Sequence, residues 1–322
     1  MAGALGNQAY WGWSKQSVKG TPITTPKYKS PFSGGNIAPT RNVEQLQETD
    51  TSRDEGVSYV TKVGMEGSAE MYARDSHAHS ILDAVLGGTV TSGAVNFTHT
   101  ATPASALPYM TLWRNVGNLL YERFEDVMFT ELNASADTGG PLTFSVGIVG
   151  RQVTELAGAE PDVAVVPASG AVYNFNEATV TAHGGATSLI SNFDLTYSNN
   201  VTDQQTDDVV PYDVVQGLRS CTVGYDMIFE NTTAYKAFHY AGGTAQTSAI
   251  TTTALTFLFS KGANNSISFS IPNAAVEEFP VEPDPGGDPV VVSVRARAQR
   301  VTGTPILTTV VKNQIATVGT GA

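Results

Sequence analysis

The chain has 322 residues, with 30 acidic side chains against 18 basic ones and a formal net charge of -12. Charged residues make up 15% of it, against about 25% in ordinary soluble domains, so a folded chain is expected rather than a disordered one. The acidic balance excludes a protein that grips nucleic acid through its phosphates, and the single cysteine, Cys221, excludes an intrachain disulfide or a cysteine metal cluster.

The length predicts about two domains of ~150 residues, or one large all-β domain. Such a chain buries roughly three quarters of its unfolded surface and needs no metal or disulfide staple. The first residues carry no basic region and no continuous apolar run, so export through a signal peptide is not expected. No stretch approaches the ~20 apolar residues of a membrane helix.

In chain order, the first thirty residues hold Lys15, Lys19, Lys27 and Lys29 beside Tyr10, Trp11 and Trp13, with little periodicity. Residues 1–19 are read as an arm that anchors on a neighbouring subunit through Trp11, Trp13, Lys15 and Lys19; an aromatic sugar-binding platform is the alternative. Over 57–73, Val57, Tyr59, Val63, Met65, Ala69 and Met71 share one face, while Ser58, Lys62, Glu66, Ser68 and Glu70 share the other. That period of two predicts a strand with one packed and one wet face. A short helix follows, with Asp75-Ser76 as its cap, Ala78, Ile81, Leu82 and Val85 as its stripe, and Gly87-Gly88 as its stop. Leu142, Phe144, Val146 and Ile148 mark another alternating strand.

Shifting the chain by 156 residues brings the helix back: Asn231-Thr232 caps it, Ala234, Ala237, Phe238 and Ala241 form its stripe, and Gly242-Gly243 end it. The same shift lays Glu70-Met71-Tyr72 over Asp226-Met227-Ile228 with strand parity kept. A second block, Asp137-Thr138-Gly139-Gly140-Pro141 before Leu142, recurs as residues 284–289 before Val290. Two blocks in one order, both keeping face parity, point to a duplication rather than to chance. The expected organisation is an arm over 1–19, halves over 20–153 and 172–302, a linker over 154–171, and a C-terminal strand and tail over 303–322. Each half has an acidic loop before its main hairpin, with Glu48, Asp50, Asp54 and Glu55 in the first and Asp203, Asp207, Asp208 and Asp213 in the second.

Catalytic chemistry finds little support. His77 and His79 are two apart and point to different sides of a helix, so they cannot share a metal. His99, His183 and His239 have no partner pattern, and no GxSxG, Walker A or HExxH motif occurs. Alternation places Cys221 on a packed face as a small hydrophobe. The acidic loops lack the spacing of a calcium loop and are read as solvated. No cofactor, metal or catalytic residue is assigned.

The order of motifs resembles a family. Gly20-Thr21-Pro22 follows the aromatic N-terminus; then come Gly-x-x-Gly-Ser-x-Glu over 64–70, Leu86-Gly87-Gly88, Asn96-Phe97-Thr98-His99, Leu107-Pro108-Tyr109-Met110-Thr111-Leu112, a hairpin over 124–152, and Ile271-Pro272-Asn273-Ala274. Over nearly the whole chain this resembles the tail tube (major tail) proteins of bacteriophages with long, non-contractile tails. The resemblance implies a mainly β fold: a sandwich or barrel-like domain with a short flanking helix, here duplicated in tandem, completing a β-barrel ring between subunits. It implies a virion protein, assembled in the host cytoplasm, whose stacked rings enclose a genome channel. A homotrimer with pseudo-sixfold symmetry is expected, with a homohexamer as the alternative. The implied partners are further copies, a tape measure protein, a tail terminator and distal tail proteins; DNA passes through without specific binding, and no membrane is involved. Glu66, Ser68, Glu70 and Asp226 are then expected at the lumen or ring interface, and the acidic loops between rings. A carbohydrate-binding adhesive β-sandwich, and the inner tube of a contractile tail or secretion system, stand as alternative readings.

Overall fold

The computed structural model describes residues 6–47, 56–158, 166–167, 170–183, 185–187, 189–230, 232–282, 285–286 and 289–316. The first half contains β1 (Tyr10–Lys15), β2 (Tyr28–Pro31), β3 (Gly34–Gln45), β4 (Ser58–Tyr72), helix α1 (Ala78–Leu86), β5 (Gly87–Ser92), β6 (Phe97–Pro103), β7 (Met110–Val116), β8 (Leu120–Asp137), β9 (Thr143–Gly150) and β10 (Gln152–Glu155). After β11 (Val166–Pro167) come β12 (Ala178–Ala182), β13 (Gly185–Thr187), β14 (Asn192–Ser198), β15 (Thr202–Gln204), β16 (Asp213–Val215), β17 (Ser220–Ile228), helix α2 (Thr233–Tyr240), β18 (Thr252–Ser260), β19 (Ser266–Glu278), β20 (Val291–Ala298) and β21 (Thr308–Asn313).

Eight of these strands form one long antiparallel sheet, in the order β3-β4-β9-β8-β14-β17-β20-β19, while β15 and β16 pair with each other in a sheet of their own. Two further sheets grow from strands that belong to it. The first part of β8 continues into β7, β1 and β2 on one side and β10 on the other. The first part of β19 continues into β18 and β12 on one side, and into β21, β6 and β5 on the other.

The halves are therefore not separate bodies. They share the β8–β14 ladder, the C-terminal strand β21 bridges β19 of the second to β6 of the first, and one apolar core runs through both. In the second half Phe193 of β14 packs on Phe257 of β18 at 4.4 Å and on Phe269 of β19 at 5.6 Å; Phe144 of β9, from the first half, meets the same Phe269 edge-on at 6.3 Å. Interlocked aromatic rings of this size dominate core energetics. The expected linker is also structured where described, since β10 pairs with β8 and β11 with β2.

Helix α1 is buried on every side, so it sits inside the molecule instead of floating on its surface. Gly87 closes it in the left-handed region at φ 82, as expected. The expected Asp75-Ser76 cap does not form: the helix starts one residue later, at His77, with no side-chain cap bond. Tertiary packing, not capping, stabilises this end. In β4, Met65, Ala69 and Met71 are buried as expected, but Tyr59, and Val57 just before the strand, are 44% and 77% exposed. The β3–β4 hairpin runs past the end of the body, so its apolar face finds no core there.

Candidate assembly surfaces

The long sheet has one packed face and one wet face. Glu70 sits opposite Ser145, Ser145 opposite Asn133, Asn133 opposite Thr196 and Thr196 opposite Thr222. Directly opposed residues share a face and alternate residues along a strand share it too, so Glu66, Ser68, Glu70 and Asp226 all lie on the wet side. Glu131 and Asp194 join them, as do Lys62, Arg295 and Arg297. The face is thus acidic over β4, β8 and β14 and carries an arginine stripe on β20. Lys62 binds Asp203 at 2.5 Å and Glu66 at 3.5 Å, and Asn192 Nδ2 donates to Asp226 at 2.5 Å.

The two halves contribute four strands each, with matching registers. Glu66 opposes Val149 and Glu70 opposes Ser145; 156 and 148 residues further on, Thr222 opposes Arg297 and Asp226 opposes Ser293. Asn36 opposes Ser68, and Asp194 opposes Gly224. Even the irregularities repeat: the β8–β9 ladder shifts register between Phe129 and Glu131, and the β19–β20 ladder between Val276 and Glu278. In this correspondence β3, β4, β9 and β8 match β14, β17, β20 and β19. The match ends at the sheet's borders. The C-terminal part of β8 is paired on both sides, by β9 and β14. Its counterpart in β19 is paired by β20 but lies at one border, and β3, the counterpart of β14, lies at the other.

β4 and β17 run in the same direction within the sheet, so both strands begin at one end of it. Glu48, Asp50, Asp54 and Glu55 fall outside the described residues. Asp203 and Asp213 are not free loop charges: Asp203 holds Lys62, and Asp213 holds Lys19 at 2.8 Å and the Tyr109 hydroxyl at 2.8 Å. Desolvation and the bond to Asp213 push the Tyr109 phenol up to about 12. Asp207 and Asp208 are exposed.

The expected arm is corrected by the structure. Trp11 and Trp13 are fully buried, packed on each other within the chain's own core with ring centroids 4.5 Å apart and planes tilted by 33°, and β1 is paired on both edges by β2 and β7. Lys15 binds Asp83 of the buried helix at 3.0 Å, and Trp13 Nε1 donates to Ser80 Oγ of that helix at 3.1 Å. Trp residues of this kind are core anchors, and Lys15 neutralises a buried carboxylate. Replacing Lys15 by Met is expected to lower stability by about 3 kcal/mol, because it strands the Asp83 charge; chemical denaturation would read this directly. Removing residues 2–19 is accordingly expected to unfold the chain, not merely to stop its association.

A histidine cluster that motif spacing did not reveal joins four elements. His79 stacks on His99 at 4.4 Å, Tyr28 hydroxyl lies 3.0 Å from His79 Nε2, and Asn313 bonds both rings at 3.0 Å. His99 and Asn313 are 214 residues apart, so only the β6–β21 ladder brings them together. His77 packs edge-on against Trp13 at 5.8 Å, and burial pushes it down to about 3; burial also lowers His99 and His183. The folded state therefore holds His77 neutral, while the unfolded chain protonates it near 6.5. Stability is full above that value and declines as the pH falls toward 3, by roughly 3 kcal/mol at pH 4 from His77 alone. Melting curves between pH 7 and 4 should show this loss, and His77→Asn should flatten it. Among the described residues no three His, Cys, Asp or Glu side chains converge on a possible metal site. Cys221 is buried, and desolvation raises its thiol to about 12, which leaves it inert.

What remains conspicuous is a sheet with matched units and unmatched borders, which is the geometry of a part and not of a pocket. The family model for phage tail tube proteins matches residues 6–304. The chain belongs to the phage tail tube protein family. None of the curated proteins matches it. As a tail tube family member it is a structural tail protein, a component of the virion, and the family points away from an enzymatic role. Its mainly β architecture agrees with what the resemblance implied, and among the described residues no helix is long and apolar enough to cross a membrane.

Proposed function

We propose that the chain is a tandem pair of tail tube units, that three copies close a ring with pseudo-sixfold symmetry, and that stacked rings form the conduit for the phage genome. The observation that carries this reading is the repeated register together with the two open borders. Within one chain, β8 pairs with β14. Their counterparts, β19 and β3, are the borders, so the β3 edge of a second copy offers β19 what β14 offers β8.

The register transfers directly. Glu131 opposite Ser198 becomes Glu278 opposite Thr40 of the next copy, and Ala134 opposite Leu195 becomes Val281 opposite Ile37. Three copies of eight strands give about 24 strands spaced ~4.8 Å apart. Tilted and closed, they make a barrel on the order of 40 Å across, wide enough for a duplex. A homohexamer would double the strand number and leave a far wider channel. In the free chain the β3 edge is blunted by Pro39 and by the Arg114 guanidinium, which bonds the Ile37 carbonyl; such devices prevent uncontrolled edge pairing.

Closure in this direction would turn the wet face of Glu66, Ser68, Glu70 and Asp226 to the lumen. Glu66, Glu70, Glu131, Asp194 and Asp226 outnumber Lys62, Arg295 and Arg297 on that face, so it repels phosphate on balance, and DNA keeps its counterions and slides. The end of the sheet at which β4 and β17 begin would face the adjacent ring, with Asp203, Asp207 and Asp208 there, and the acidic residues Glu48, Asp50, Asp54 and Glu55 are proposed to take part in the same contact. Tape measure, terminator and distal tail proteins would meet the lumen and the two tube ends, and assembly would take place in the host cytoplasm before the virion is complete. Sedimentation of the purified chain over a concentration series tests the reading: trimers and pelletable tubes are expected, and a protein that stays monomeric even with tail initiator components present contradicts it.

A further inference from the structure

The β3–β4 and β14–β17 connections are repeat counterparts that take different courses. Glu44 pairs with Tyr59 near the end of the first, and Thr202 pairs with Val215 at the same step of the second. In the second half the hairpin breaks at Asn199–Asn200 and Gly217–Leu218. Asn200 is left-handed at φ 47 and its side chain bonds the Leu218 carbonyl, while Asn199 Nδ2 donates to the Val85 carbonyl at 2.8 Å. So bent, the hairpin lies down on the first half. Val201 and Val214 are buried against Leu107 and Met128, Val63 N–H donates to the Val209 carbonyl at 2.9 Å, and Lys62 binds Asp203 at 2.5 Å.

In the first half the same step is only a bulge between Asn42 and Val43, and the hairpin runs straight on. Val43, Leu46, Val57 and Tyr59 stay 54%, 46%, 77% and 44% exposed. The second half has a counterpart to the cradle as well. It is a groove lined by Leu218, Arg219, Arg300, Val301 and Ile306, between the start of β17 and the β20–β21 turn. Leu218 and Arg219 stand where Lys62 and Val63 stand in the first half, and Leu218 is 88% exposed. One hairpin without a cradle and one cradle without a hairpin remain, and one chain cannot join them.

We infer that this groove seats the β3–β4 hairpin of a second copy in the same ring. Charge favours the match: the groove has Arg219 and Arg300, while residues 44–57 carry Glu44, Glu48, Asp50, Asp54 and Glu55 against Arg53 alone. Apolar side chains also match, with Leu218, Val301 and Ile306 facing Val43, Leu46 and Val57. The inference rests on the trimer reading and adds to it a strap at the ring's rim, beside the edge ladder.

The counterpart of the Lys62–Asp203 contact is Leu218 against Gln45 of the neighbour. The test uses the full chain with Gln45→Cys and Leu218→Cys, assembled and then oxidised. Covalent dimers and trimers on non-reducing gels, with most of the protein linked and neither single variant forming trimers, are expected. A second variant, Thr40→Cys with Glu278→Cys, reports the edge ladder alone. If the edge pair links and the groove pair does not, the strap is refuted while the ring stands. Linked products longer than three copies in the groove variant would place the contact between rings and overturn it as stated. If neither pair links in assembled material, the ring reading itself fails and the strap fails with it.

Discussion

Replacing Val281 by proline is expected to abolish ring formation while the isolated chain stays folded. Val281 follows the border strand β19 and is only half-buried, and no ladder among the described residues uses its backbone. In the transferred register its N–H meets the Ile37 carbonyl of the next copy, as Ala134 meets Leu195 within the chain. Proline has no N–H and its ring intrudes on the neighbouring strand. One lost hydrogen bond is worth about 1 kcal/mol, and the break in the ladder adds to it, so each interface should weaken by at least tenfold. A ring needs all its interfaces at once, which multiplies the effect. Sedimentation velocity should show a monomer at concentrations where the parent assembles, with a melting temperature unchanged within a few degrees. Assembly equal to the parent's would refute the register.

Reversing Glu66 and Glu70 to lysine is expected to lower infectivity by at least about tenfold with tube length unchanged. Both side chains stand on the wet face, and Glu66 makes a long contact to Lys62 at 3.5 Å, so the fold loses little. The wall, however, gains cations where phosphates pass, and each phosphate contact adds a salt-dependent attraction. Virions carrying the variant should show normal tails by electron microscopy and a titre that recovers partly at raised ionic strength. Normal titre at low salt would remove these residues from the lumen.

Much of the fold was legible because its strands are half-buried. Met65, Ala69 and Met71 on one face, and Glu66, Ser68 and Glu70 on the other, write their environment into a period of two. Strand β1 was not legible for the opposite reason: Trp11, Gly12, Trp13 and Ser14 are all buried, so nothing alternates, and two tryptophans among lysines look like a free arm. The histidine cluster depends on Asn313 meeting His79 and His99, and no local pattern announces a contact over such a separation. The α1 cap was misplaced because a helix buried on all sides takes its definition from packing. The acidic loops looked equivalent in composition, and nothing in it announces that the left-handed Asn200 and its bond to Leu218 fold the second hairpin back onto the first half. The correspondence of registers between the halves has its sequence trace in the parity of Glu70 over Asp226. Its fuller statement, the matching bulges at Phe129/Glu131 and Val276/Glu278, belongs to pairing and not to sequence.

The central claim, that matched halves close a ring through the β3 and β19 borders, is tested most directly by cryo-electron microscopy of assembled tubes viewed along and across the axis. The account predicts a threefold ring of six similar units, a channel on the order of 40 Å, and density for Glu278 of one copy opposite Thr40 of the next. A ring of six chains, or a threefold ring whose copies meet through other strands, would contradict it.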